Sequence, residues 1–337
     1  MSAPDQDPPG VRLHVVSGKG GTGKTTAAGA LALALASDGG RVLLVEVEGR
    51  QGIAELFGTG PLPYAERKVV GARGGGEVFA LAVDAEAALM EYLEMFYGIR
   101  RAGQVLTRFG AVDFATTIAP GVRDVLLTGK ATEAVRRREG GRRSRVQGPH
   151  VYDAVVLDAP PTGRIAQFLC VNAEVAGLAR MGPIRNHADK AMATIRSSAT
   201  AVHFVALPEE MPAQEAADGL AEIREAGLHP GFVLLNMAHE PLLAPEALED
   251  AERGEVDTDA LAQGLKAVRL DAPKETAAAL AREVTEHARR VGAESAVRER
   301  LRALGPPLLE LPFLGGGIDT DALFRIADRL TAQGVGR

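Results

Sequence analysis

Ten residues near the amino end, Ser17-Gly18-Lys19-Gly20-Gly21-Thr22-Gly23-Lys24-Thr25-Thr26, constrain this chain more than any other segment. An apolar run from Val11 to Val16 precedes them, and an Ala/Leu-rich stretch from Ala27 to Ala36 follows. That order predicts strand, glycine loop, helix. Gly18, Gly23, Lys24 and Thr25 satisfy the G-x-x-x-x-G-K-[ST] spacing of a phosphate loop. Such glycines bare the backbone N–H groups, which curl around a polyphosphate, and the helix N-terminus adds partial positive charge. In this pattern Lys24 reaches the β- and γ-phosphates, and the Thr25 hydroxyl ligates Mg²⁺. Lys19, Gly20, Gly21, Thr22 and Thr26 complete the ATP cradle.

Lys19 is a second lysine inside the loop, in a chain with seven lysines against thirty-one arginines. The K-G-G-T-G-K-T-T pattern resembles the deviant-Walker ATPases. That resemblance implies that Lys19 crosses a dimer interface to the nucleotide of the other subunit.

The 337 residues are 46% hydrophobic and 24% charged, the balance of a globular protein with a sizeable core. A net charge of −6 provides no general field for nucleic acid, and none is expected as a partner. Residues 1–10 are polar and proline-rich, predict a disordered tail, and lack the regions of a secretion signal. No apolar run reaches the roughly 18 residues of a membrane span. The single cysteine, Cys170, excludes an internal disulfide or a thiolate metal cluster, and a cytoplasmic location is expected.

Short apolar runs predict buried parallel strands at Val11–Ser17, Arg41–Val47, Val78–Val83, Tyr152–Asp158, Thr200–Leu207, Gly231–Asn236 and Leu308–Leu311. Helical patterns between them predict an α/β fold with a doubly wound, mostly parallel sheet. One ATPase domain over 11–337 is expected, with a helical subdomain inserted at about 84–137 and 241–305. Asp84 suits an N-cap, and Leu89, Met90, Leu93, Phe96 and Tyr97 share a helical face that is either core or a groove for a hydrophobic client. The basic stretch 136–147 reads as a solvated loop. The amphipathic segment 319–334 either packs on the sheet or touches a membrane transiently.

Carboxylates mark the rest of the site. Glu46 and Glu48, two apart, share a face if the strand at Arg41–Val47 continues, and a carboxylate there orients or deprotonates the attacking water. Glu48 is the stronger catalytic candidate, with Lys19 and Lys24. Asp158 ends an apolar strand, the arrangement that holds Mg²⁺ through its water shell. The turn Pro160-Pro161-Thr162-Gly163 after it is stiff enough to sense the loss of a γ-phosphate. Asn236 ends another strand, where its carboxamide either pairs with an adenine edge or makes a turn.

Taken together, these pieces resemble the arsenite-pump and tail-anchored-protein targeting ATPases, the anion-transporting ATPase family. The likeness rests on the glycine loop, Asp158-Ala159-Pro160-Pro161-Thr162-Gly163, Pro120-Gly121, Leu207-Pro208-Glu209 and Asn236. The stretches VEVEGRQGIAELF and FATTIAPGVRDVLLTGK are similar to its actinobacterial branch, in which two related subunits pair. The resemblance implies a homodimer or a heterodimer with a related subunit, ATP at the interface, a composite client groove, and Asn236 on the base. Departures matter too. Cys170 alone cannot bind arsenite, and no C-x-x-C pair is present for a zinc clasp. The family's switch aspartate, in D-P-A-H, is replaced by Glu48-Gly49-Arg50-Gln51. A carboxylate displaced by one methylene predicts slow turnover or a regulatory, scaffold subunit. A partition or septum-positioning ATPase shares the loop but fits the acidic charge and the helical insertions poorly.

Overall fold

Val and Leu dominate the predicted strands, and such runs pay their backbone cost only when both faces of the sheet are covered. A computed structural model of the chain describes residues 10–97, 120–140, 148–178, 183–270 and 274–336. The strands are β1 (Leu13–Gly18), β2 (Arg41–Glu46), β3 (Arg67–Gly71), β4 (Glu77–Ala82), β5 (Ala154–Asp158), β6 (Thr200–Ala206), β7 (Pro230–Ala238) and β8 (Leu308–Pro312). They form one sheet in the order β3-β4-β2-β5-β1-β6-β7-β8, parallel except for the antiparallel β3/β4 edge. The expected doubly wound α/β fold is therefore the observed one.

The described helices are α1 (Lys24–Leu35), α2 (Gly52–Leu56), α3 (Ala85–Tyr97), α4 (Pro120–Arg136), α5 (Thr162–Leu178), α6 (Pro183–Ile195), α7 (Glu210–Glu225), α8 (Pro245–Glu252), α9 (Thr258–Ala267), α10 (Lys274–Arg302) and α11 (Thr320–Ala332). One sheet face is covered by α1, α2 and α11, and the other by α3 to α7 with the end of α10. Among the described residues no helix is long and apolar enough to cross a membrane.

α11 settles one alternative. Its apolar side chains Leu323, Ile326, Ala327 and Leu330 are buried in the core beside α1, and its N-cap Asp319 accepts from the Ala322 N–H at 2.7 Å. That face is spent on packing rather than on a lipid surface. Asp84 caps α3 as expected, accepting from the Ala87 N–H at 2.8 Å. Leu89 is buried and Met90 packs against the same core. The side chains of Leu93, Phe96 and Tyr97 lie outside the described residues, as do 98–119 of the inserted segment, 141–147 of the basic stretch and 1–9 of the tail. Within that stretch Arg138 is exposed, whereas the partly exposed Arg137 guanidinium is held by Glu66 at 2.6 Å and Glu133 at 2.7 Å.

A buried polar pair crosses the sheet centre. His203 Nδ1 accepts from the Phe232 N–H at 2.8 Å, so its Nε2 carries the proton and donates to His14 Nδ1 at 3.1 Å. Gly231 makes the room, because a Cβ there would stand 2.3 Å from His203 Nδ1. Burial drives the His203 pKa well below the ordinary histidine value.

Candidate nucleotide site

β1 is the central strand, and the glycine loop leaves from its carboxyl end between β5 and β6. Ser17 Oγ donates to the Pro160 carbonyl at 2.7 Å, fastening the loop entrance to the turn after β5. Two glycines are obligatory. A Cβ on Gly18 would lie 2.4 Å from the Val205 carbonyl oxygen, and one on Gly23 would lie 2.3 Å from Asn236 Nδ2. Gly23 also takes φ +85°, and it caps α1 without a side-chain bond. The first N–H groups of α1 thus keep their hydrogens for a ligand, as an anion site requires. Gly20 and Gly21 are exposed on the open side of the loop, with Thr26 half-buried.

Thr22 Oγ1 and Lys24 Nζ both donate to the Lys19 carbonyl, at 2.9 and 3.3 Å. The Lys24 ammonium therefore rests on its own loop, beside the space the loop encloses. Asn236, buried at the end of β7, donates from Nδ2 to the Thr22 carbonyl at 2.9 Å. Its second amide proton and Oδ1 are not engaged by that bond. The neighbouring Met237 is held at φ +58°, a conformation that a side chain pays for and that recurs at functional sites.

Opposite the loop, Thr25 Oγ1 donates to Asp158 Oδ2 at 2.6 Å. Burial pushes the Asp158 carboxyl up to about 6; the Thr25 hydroxyl and Lys24 pull it down, and the charges of Glu46 and Glu48 push it further up. Thr25, Asp158, Glu46 and Glu48 offer hard oxygens, the set that suits Mg²⁺. Glu46 pairs in register with Asp158 on the adjacent strand and is 3% exposed. Its Oε2 accepts from the Ile53 N–H at 3.2 Å, while Oε1 is buried without a hydrogen-bond partner.

Glu48 stands further out, half-buried, with Arg50 at 3.8 Å. It lines a small cleft of about 120 Å³ shared with Arg123, Asp124, Pro160 and Arg164. There α4 meets the end of β2 and the start of α5: Arg123 Nη2 donates to the Val47 carbonyl at 3.5 Å, and Arg164 pairs with Asp124 at 3.6 Å. Nothing in the sequence pattern marks Arg123 and Asp124, because they gain meaning only from the turns they touch. The same holds for Glu215 on α7, which pairs with Lys19 Nζ at 2.8 Å.

Residues 11–195 match the family model for the anion-transporting ATPases. Over 326 residues the chain is 48% identical to ATPase BagA of Mycobacterium tuberculosis (strain ATCC 25618 / H37Rv), an alignment covering 97% of this chain and 94% of that protein. ATPase GET3 of Kluyveromyces lactis is 28% identical over 189 residues, 52% of this chain and 51% of its own length. ATPase GET3 of Candida glabrata is 27% identical over 188 residues, 51% of this chain and 50% of its own.

Proposed function

The chain belongs to the anion-transporting ATPase family, and we propose that its ATPase activity is that of a cytoplasmic dimeric switch driven by Mg-ATP. One observation carries this reading: Thr25 bonds Asp158 beside Lys24, at the end of a glycine loop whose helix N-terminus has no side-chain cap. The amides of Gly18 to Thr26 cradle the α- and β-phosphates, and Lys24 leaves the Lys19 carbonyl for the β/γ oxygens. Thr25 and Asp158 would hold magnesium, which would supply charge neutralisation at the phosphates. Glu48 orients the attacking water, and the spare amide groups of Asn236 meet the adenine edge. Lys19 exchanges Glu215 for the nucleotide of the partner subunit, a related chain or a second copy.

Output runs through α4. Arg123 and Asp124 are adjacent, and each touches a different switch segment, so a shift of either turn is passed to the helical layer. We assign the helical stretches 84–137 and 241–305 to one client-handling subdomain set on a single ATPase domain. Lys24→Ala tests the core of this proposal. Isothermal titration with Mg-ATP is expected to show at least a hundredfold loss of affinity, and phosphate release is expected to vanish. Parent-like turnover by that variant would refute it.

A second reading has its own support. Glu48 pairs with Arg50 at 3.8 Å, which suits a subunit that binds ATP and hydrolyses it slowly on behalf of a paralogue. Phosphate release by the chain alone, and mixed with the paralogue, separates the two. Robust turnover alone favours the switch, and turnover only in the mixture favours the regulatory subunit.

A further inference from the structure

We infer that Glu46 is a second carboxylate of the magnesium site, acting through a metal-bound water. The inference rests on the Mg-ATP reading above and assigns a residue which that reading leaves idle.

The placement comes first. Glu46 and Asp158 end adjacent parallel strands as register partners, so their side chains leave the same face of the sheet. Asp158 reaches Thr25 at the start of α1 on that face. Glu46 reaches Ile53 in α2, whose neighbour Gly52 is packed so close that a Cβ there would meet Thr25 Cγ2 at 3.4 Å. Glu46, Asp158 and Thr25 thus lie on one side of the sheet beneath the glycine loop.

The hydrogen-bond account comes next. Oε2 of Glu46 has the Ile53 N–H, but Oε1 has neither a protein donor nor solvent. A buried carboxylate oxygen left without a donor is costly, and native proteins keep few of them. A cap for the short helix α2 explains Oε2 and leaves Oε1 unexplained. Neighbouring strands stand about 4.8 Å apart, and Glu46 lies one strand beyond Asp158, which suits a contact through water rather than a direct one. It lies within reach of the water shell that Mg²⁺ retains. A metal-bound water is a strong donor, and it supplies the proton that Oε1 lacks. Glu46 then both orients that water and, through the Ile53 N–H, ties the shell to the switch segment that carries Glu48.

The test uses Mn²⁺ as a paramagnetic probe and the full chain loaded with ADP. Free Mn²⁺ is read by electron paramagnetic resonance during titration. Glu46→Gln keeps an oxygen for the Ile53 N–H but loses the charge, and it is expected to weaken Mn²⁺ binding about tenfold, the size of outer-shell losses elsewhere. Its ADP affinity in EDTA is expected to equal that of the parent. Glu46→Ala should lose the same metal affinity and also exchange its amide hydrogens faster over residues 53–57. If Glu46→Gln binds Mn²⁺ like the parent while Glu46→Ala only loosens 53–57, Glu46 is a helix cap and the inference is wrong. If the parent itself holds no Mn²⁺ with ADP, the Mg-ATP reading fails first and takes this assignment with it.

Discussion

His203 is a titratable side chain sealed inside a sheet, stacked between His14 and Phe232 with ring centroids 5.3 and 4.9 Å away. Its folded pKa lies well below the ordinary value, while the unfolded chain takes up a proton near 6.5. Below that pH the unfolded state binds more protons, so stability is complete above about 6.5 and falls as the solution is acidified. Asp158 works in the opposite sense, because its folded pKa is raised. The difference between the parent and His203→Gln therefore isolates the histidine. Urea unfolding at pH 7.5 and 5.5 should show the parent losing about 1 kcal/mol more than the variant. An equal loss in both would disprove the account. Residues of this kind divide sharply in legibility. Gly18, Gly23, Lys24, Thr25 and Asp158 announce themselves, because phosphate and metal chemistry fixes their type and spacing. Glu46 and Glu48 are visible as a pair, but only the sheet register shows which of them adjoins Asp158. The bond from Asn236 to the Thr22 carbonyl joins segments that no local pattern connects.

At the scale of the element, α11 behaves as a structural staple. Leu323 is fully buried, and its methyl groups lie beneath Gly29 of α1. Truncating such a leucine removes its transfer free energy and leaves a cavity, so Leu323→Ala should cost about 3 kcal/mol in urea unfolding. ATP affinity measured well below the transition is expected to stay near that of the parent. A cost under about 0.5 kcal/mol would place the side chain at the surface after all. Seven strands were legible because each carries a mostly apolar run, buried on at least one face. β3 was not, because Arg67-Lys68 and a flanking glycine break the pattern, and the strand lies half-exposed at the antiparallel edge. One arginine of the basic stretch was harder to read for a related reason. A cluster of arginines reads as solvated until Glu66, from the loop before β3, is folded against Arg137.

For the molecule as a whole, the state of Lys19 matters most. Its ammonium is held by Glu215 of the same chain, with both side chains about one-third exposed. An ion pair so open to water contributes about 0–1 kcal/mol, so it can delay association but cannot prevent it. Glu215→Ala should lower the protein concentration needed for ATP-dependent association by up to about fivefold, as read by sedimentation velocity. Unchanged or weaker association would show that the pair does not compete with the interface. A different consequence follows from the strand order. β1 lies between β5 and β6, and His14 meets His203, 189 residues further along the chain. During synthesis the glycine loop leaves the ribosome before β5, β6 and β7, whose Asp158, Val205 and Asn236 wall it. Nucleotide capture by the nascent protein should therefore wait for those later strands, and until they arrive the flanks of β1 are open sheet edges.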